Sequence, residues 1–196
     1  MLRVLSDALT ADHDRQVTLI TLVDLPSAFD CVDHELLLHR LQYNFDFTDD
    51  VLCWITSFVS DRTQQVSYDG QLSPIRPVQF RVPHGSVLGP LLFVLYTADL
   101  NKIIASHRLQ LHQYADDCQV CATTSVDDVE LAIDRLAGCV ADVGAWTTSS
   151  RLRLNSSKTQ VMWPGHKNQI DKINISSVPC SRLPSASSTA HVILVL

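Results

Sequence analysis

Apolar and polar positions recur at distinct periods along this chain, and each period marks a kind of element. Val129, Ile133, Leu136, Val140 and Val143 return at helical spacing, so residues 126–149 are expected to form a long amphipathic helix with its stripe packed on a sheet. Thr18 to Val23 form a continuous β-favouring apolar run closed by Asp24, the pattern of a buried central strand. Further helices are expected at 2–11, 34–42, 50–59 and 87–104, and further strands at 64–68, 78–81 and 160–163. Residues 109–122 read as a hairpin, two short apolar arms around a polar tip. From Pro164 onward Ser, Pro and Asn dominate, and 181–189 reads as loop or disordered. No internal repeat is visible. The expected architecture is α+β, an antiparallel sheet with helices packed on one face.

The hairpin tip carries the chemistry. Tyr114-Ala115-Asp116-Asp117 places two adjacent carboxylates at a tight turn. Like charges that close repel, and folding has no use for them unless a cation sits there. Mg²⁺ is the natural occupant, because it takes hard oxygen ligands and holds phosphates beside one or two carboxylates. Taken singly, the pair is a solvated turn, and Asp24 alone could cap a helix beginning near Ser27. Together, the three carboxylates make a pocket able to hold two ions. Two metals about 3.5–4 Å apart can activate an attacking hydroxyl and stabilise a leaving pyrophosphate. A third element, Val82-Pro83-His84-Gly85-Ser86-Val87-Leu88-Gly89-Pro90, is a loop that opens a helix. Gly85 has no side chain to keep a ligand from the backbone, and a helix start tolerates anions.

In order and spacing, four blocks resemble the palm motifs of reverse transcriptases, most nearly those of non-LTR retrotransposons of the jockey and CR1-like kind. The blocks are Leu22–Asp30, Val82–Phe93, Tyr114–Asp117 and Leu152–Met162, and the resemblance runs from about Met1 to Gly165. It implies a polymerase palm over 1–165 with partial fingers, followed by a degraded or disordered tail over 166–196. It also implies an RNA-directed DNA polymerase that transfers deoxynucleotides from dNTPs to a DNA primer on an RNA template, with Mg²⁺ or Mn²⁺ as cofactor. By that resemblance Asp24, Asp116 and Asp117 are the metal-binding aspartates, with Asp24 and Asp116 as direct ligands of both ions and Asp117 contributing to the field. Phe29 matches a steric gate against a 2′-hydroxyl, Tyr114 supports the primer terminus, and Lys158 assists the leaving pyrophosphate. His84 and Gly85 fall on the nucleotide-facing loop, and Asp30 reads as a structural acceptor.

His84 stands where the family carries Gln. Neutral His also donates and accepts, but with a different reach and a pH-dependent charge. The basic fingers motifs of the family would precede the region resembling Met1–Leu5, and no thumb follows the tail, so the chain reads as a palm-centred piece of a larger polyprotein. The alternative expectation is a catalytically silent retroelement remnant with at most weak metal or partner binding.

Composition narrows the picture. Among 196 residues the hydrophobic share of 46% is enough for one sizeable core. The net charge of −6 argues against strong free-standing nucleic-acid binding, since phosphate contacts need Lys and Arg. Six cysteines without a secretion signal read as reduced thiols in an intracellular protein, nuclear or cytoplasmic. Cys118 and Cys121 make a lone C-x-x-C within a strand, with no second pair to complete a zinc site. His34 and His39 are five residues apart and diverge around a helix rather than sharing a face. The apolar end Val192–Leu196 is too short to span a bilayer, and no membrane partner is expected.

Overall fold

The computed structural model describes residues 2–83, 85–155, 159–164, 177–178 and 190–195. In chain order its elements are α1 (Leu2–His13), β1 (Val17–Asp24), α2 (His34–Phe45), α3 (Asp49–Val59), β2 (Arg62–Gln64), β3 (Ser67–Tyr68), β4 (Gln71–Leu72) and β5 (Arg76–Val78). They continue with α4 (Leu88–Tyr96), α5 (Asp99–Ser106), β6 (Gln110–Tyr114), β7 (Asp117–Thr124), α6 (Val129–Ser149), β8 (Gln160–Pro164), β9 (Ser177–Val178) and β10 (Ala190–Val195). Two compact units emerge. The first comprises Met1–Pro26, Asp99–Ser149 and Arg153–Leu196; the second comprises Ser27–Ala98 and Ser150–Leu152.

The first unit is built on a six-stranded sheet in the order β6-β7-β1-β8-β10-β9. Its neighbours run antiparallel apart from β8 and β10, which are parallel. Within 166–196, where a degraded or disordered tail was expected, β9 and β10 extend the sheet; residues 179–189 lie outside the described residues. β1 is central because its run from Val17 to Thr21 is buried throughout, as the absence of polar alternation foretold. Strand periodicity then sorts its side chains between two faces. Thr18, Ile20, Leu22 and Asp24 share one face with their β7 partners Thr123, Cys121, Gln119 and Asp117. Val4 of α1 packs on this same face against Ile20 and Cys121, flanked by Leu22 and Met162. The helical stripe Val129, Ile133, Leu136, Val140 and Val143 of α6 is buried in full.

The second unit gathers α2, α3 and α4 with two small β-ribbons, β2 with β5 and β3 with β4. Leu37, Leu41, Val59, Phe93 and Tyr96 are fully buried there. Arg40 is buried among them without lacking partners: it donates to the Tyr96 carbonyl and, at 2.7 Å, to Ser150 Oγ. Its guanidinium lies 4.6 Å from the Tyr96 ring centroid, and the Tyr96 hydroxyl donates to the Ser150 carbonyl at 2.6 Å. Asp33 caps α2 by accepting from Leu36 N at 2.8 Å.

Two expected elements come out differently. The single helix 87–104 is two helices, interrupted at Thr97 and Ala98. Thr97 Oγ1 donates back to the Phe93 carbonyl at 3.0 Å, a local bond that competes with helical continuation. The stretch Leu88–Ser106 is long and apolar enough to cross a bilayer by length and composition, but Leu92, Phe93, Tyr96, Leu100 and Ile104 along it are buried in the protein. The expected strand 64–68 is split between β2, which pairs with β5, and β3, which Asp69 (φ 48) and Gly70 (φ 72) turn back into β4. Positive φ at both central residues is the type I′ pattern for which Asp-Gly is favoured. That dipeptide was readable and was overlooked.

Candidate active site

The site is assembled at one end of the central strand pair in the first unit. Asp24 is the last residue of β1 and sits directly opposite Asp117, the first residue of β7. Facing positions of an antiparallel pair project to the same side, so the two carboxylates share a face. Ala115 and Asp116 form the two-residue turn between Tyr114 and Asp117. Ala115 adopts φ 55, a left-handed conformation that costs an L-residue energy, and its carbonyl accepts from Gln113 Nε2 at 2.9 Å. The turn holds Asp116 and Asp117 out in solvent, with Tyr114 84% exposed beside them.

Asp24 is held differently. Its backbone carbonyl accepts from Asn155 N at 3.0 Å, while its side-chain Oδ2 is buried with no hydrogen-bond partner among the described residues. Buried carboxylate oxygens are ordinarily paired, so this orphan oxygen is the most informative atom of the site. A cleft of about 360 Å³ lies at this end of the strand pair, lined by Leu22, Asp24, Asp117, Gln119 and Gln160 among others. The local field is negative: the Cys118 thiol is pushed up to about 12, first by burial and then by Asp116 and Asp117. Among the described residues, no three His, Cys, Asp or Glu side chains converge as a ready-made metal cluster. The donor chemistry still suits a hard divalent cation, since an unpartnered carboxylate oxygen faces a second carboxylate across one strand pair.

The remaining candidates divide cleanly. Phe29 belongs to the second unit, where it stacks on Phe93 at 4.6 Å between ring centroids and its carbonyl accepts from Val82 N at 3.0 Å. Gly85, also in the second unit, has φ 74 and open space where a Cβ would stand. Asp30 faces Arg81 at 3.6 Å, as befits a structural acceptor. His84 and Lys158 lie outside the described residues. Cys118 and Cys121 are three positions apart on one strand and point to opposite faces, so their thiols do not converge. Two amides escaped the sequence reading. Gln119 was reachable by strand parity from Asp117, but Gln160 gave no signal before its pairing with Leu22 was known.

Residues 2–180 match the family described as reverse transcriptase (RNA-dependent DNA polymerase). The chain belongs to this family. It is 29% identical over 161 residues to the RNA-directed DNA polymerase from mobile element jockey of Drosophila melanogaster, covering 80% of this chain and 17% of that protein. The Drosophila funebris counterpart is 31% identical over the same length and coverage. The probable RNA-directed DNA polymerase from transposon X-element of Drosophila melanogaster is 28% identical over 195 residues, 98% of this chain and 21% of the relative. The reverse transcriptase chain therefore spans about a fifth of the curated relatives it matches. In fold it is similar to apo telomerase from Candida tropicalis truncated from its C-terminal domain, with a TM-score of 0.63 at 14% identity over 97% of this chain and 40% of that one. The non-LTR resemblance and the palm architecture read from the sequence are both borne out.

Proposed function

We propose that this chain is the palm of an RNA-directed DNA polymerase and that it adds deoxynucleotides to a primer by two-metal nucleotidyl transfer. The observation that carries the reading is the buried, unpartnered Oδ2 of Asp24 opposite Asp117. Asp24, Asp116 and Asp117 would hold the divalent ions, Mg²⁺ or Mn²⁺. Bound there, the ions supply charge neutralisation for the attacking primer hydroxyl and the leaving pyrophosphate. The chain's own residues fix the geometry. Register sets Asp24 against Asp117, and the two-residue turn limits where Asp116 reaches. Phe29 is the proposed gate against a 2′-hydroxyl, and its stacking on Phe93 would stiffen the ring. Lys158 and His84 keep their proposed roles at the pyrophosphate and on the nucleotide-facing loop, as Gly85 does, with Tyr114 at the primer terminus.

A second reading, a chain that keeps the fold and has lost turnover, is favoured by one observation: the carboxylates do not form a preassembled cluster among the described residues. Primer extension on poly(rA)/oligo(dT), comparing the parent chain with Asp116→Ala, separates the two. Extension that needs Mg²⁺ or Mn²⁺ and disappears in the variant supports the polymerase. A folded parent chain that extends nothing supports the silent fragment.

A further inference from the structure

A second cleft of about 350 Å³ adjoins the first, and the two share Asp117 and Gln119. Its other walls come from α1 and β6, and include Arg3, Gln113 and Tyr114. The register explains the placement. His112 pairs with Gln119 and Tyr114 with Asp117, so these side chains rise from the carboxylate face. α1 crosses that same face, anchored by Val4 on Ile20 and Cys121. His112 Nε2 lies 3.4 Å from Asp7 Oδ2, where α1 meets β6. Arg3, one residue before Val4, is thereby held at the mouth of the cleft with its side chain exposed.

The chemistry of this cleft differs from that of its neighbour. Among the described residues, the first cleft is lined by two carboxylates and no cation. The second has one guanidinium, Arg3, and one carboxylate, Asp117, with the Gln119 amide and the Tyr114 phenol also in its lining. Guanidinium presents a planar fork of donors matched to phosphate oxygens. Glutamine amides donate to sugar and phosphate oxygens, and an exposed tyrosine ring offers a stacking surface. A carboxylate at the border repels a phosphate placed on it, so an anionic strand entering this cleft is driven toward Arg3, away from Asp117.

We propose that Arg3 is a positioning residue for the primer strand: its guanidinium takes a backbone phosphate behind the terminal nucleotide. The 3′ end is thereby held at the border between the two clefts, beside Asp117. This rests on the polymerase reading and adds a residue and a strand to it.

The test measures binding of a fluorescently labelled oligo(dT) annealed to poly(rA) by the full chain, without divalent metal, across a series of monovalent salt concentrations. Arg3→Gln should weaken binding and lower the slope of log K against log salt by about one, the signature of one lost phosphate contact. Arg3→Lys should restore the slope, because it restores the charge. Lys102→Gln removes an exposed cation of α5 that pairs with Asp99, and it should leave the slope unchanged. A slope that Arg3→Gln does not alter, in a parent chain that binds the duplex, overturns the assignment to Arg3 and leaves the polymerase reading standing. A folded parent chain that does not bind the duplex at all overturns both.

Discussion

Two buried polar sites, one in each unit, follow opposite rules. In the second unit a whole guanidinium is buried at Arg40, and the surroundings answer it: the Tyr96 carbonyl, Ser150 Oγ and the Tyr96 ring face. In the first unit one carboxylate oxygen of Asp24 is buried and no described residue answers it, as is also true of Asp12 Oδ1 on α1. An unsatisfied buried polar group costs about 1–3 kcal/mol, and at Asp24 that cost falls directly opposite a second carboxylate. The contrast separates polar groups that hold the fold from a polar group held in readiness. It also predicts opposite signs for mutations at the two places.

The largest effect is expected at Arg40. Arg40→Met keeps much of the side-chain volume and removes the donors, stranding the Tyr96 carbonyl and Ser150 Oγ in the interior. Breaking a buried charged hydrogen-bond pair from one side costs about 3 kcal/mol or more, and chemical denaturation should show a loss of that order. A loss within 0.5 kcal/mol, on the order of an ordinary surface substitution, would mean that the network is packing in disguise.

A smaller effect of the opposite sign is expected at Asp24. Asp24→Val suits a strand, removes both carboxylate oxygens and relieves repulsion with Asp117. The metal-free chain should gain about 1 kcal/mol while extension activity, where the parent has it, is lost. A destabilised Asp24→Val chain would show that Asp24 holds the fold, and the contrast between the two sites would collapse.

Much of this was legible in the residues, and the gaps have physical causes. β1, the hairpin at its side and the stripe of α6 could be read because a strand at the centre and a helix on a sheet impose strict periods on their own sequence. The pairing of Asp24 with Asp117 followed from those two strands lying side by side. Arg40 could not be read: its partners Tyr96 and Ser150 are 56 and 110 residues away, and an arginine in a helix is normally exposed. Arg3 was equally hidden, because only the packing of Val4 on Ile20 puts α1 on the carboxylate face. The break at Thr97 was missed because a run as apolar as 88–106 satisfies helical periodicity at any phase.

The satisfied side of the comparison can be sharpened with pH. Burial first, then nearby charge, raises the Tyr96 phenol above its ordinary value of 10.0, although a hydrogen bond with the Asp33 backbone and the cations Arg40 and Arg151 pull it down. Folded Tyr96 therefore keeps its proton where the unfolded chain has lost it. Its contribution is complete below pH 10 and is lost as pH rises from 10 through the raised folded value, at about 1.4 kcal/mol per pH unit. Tyr96→Phe abolishes that dependence at a cost of about 1 kcal/mol near neutrality, the worth of the hydroxyl's bond to Ser150. Buried thiols complicate the absolute curve, since Cys121 is raised to about 11 and Cys139 to about 12, so both chains lose stability from pH 9 upward. They are common to parent and variant and cancel in the difference. Denaturation from pH 8 to 11 should show the parent's advantage constant up to pH 10 and shrinking above it. An advantage that stays constant to pH 11 would mean that the phenol ionises as readily in the folded chain as in the unfolded one, and that Arg40 sits in a pocket open to water.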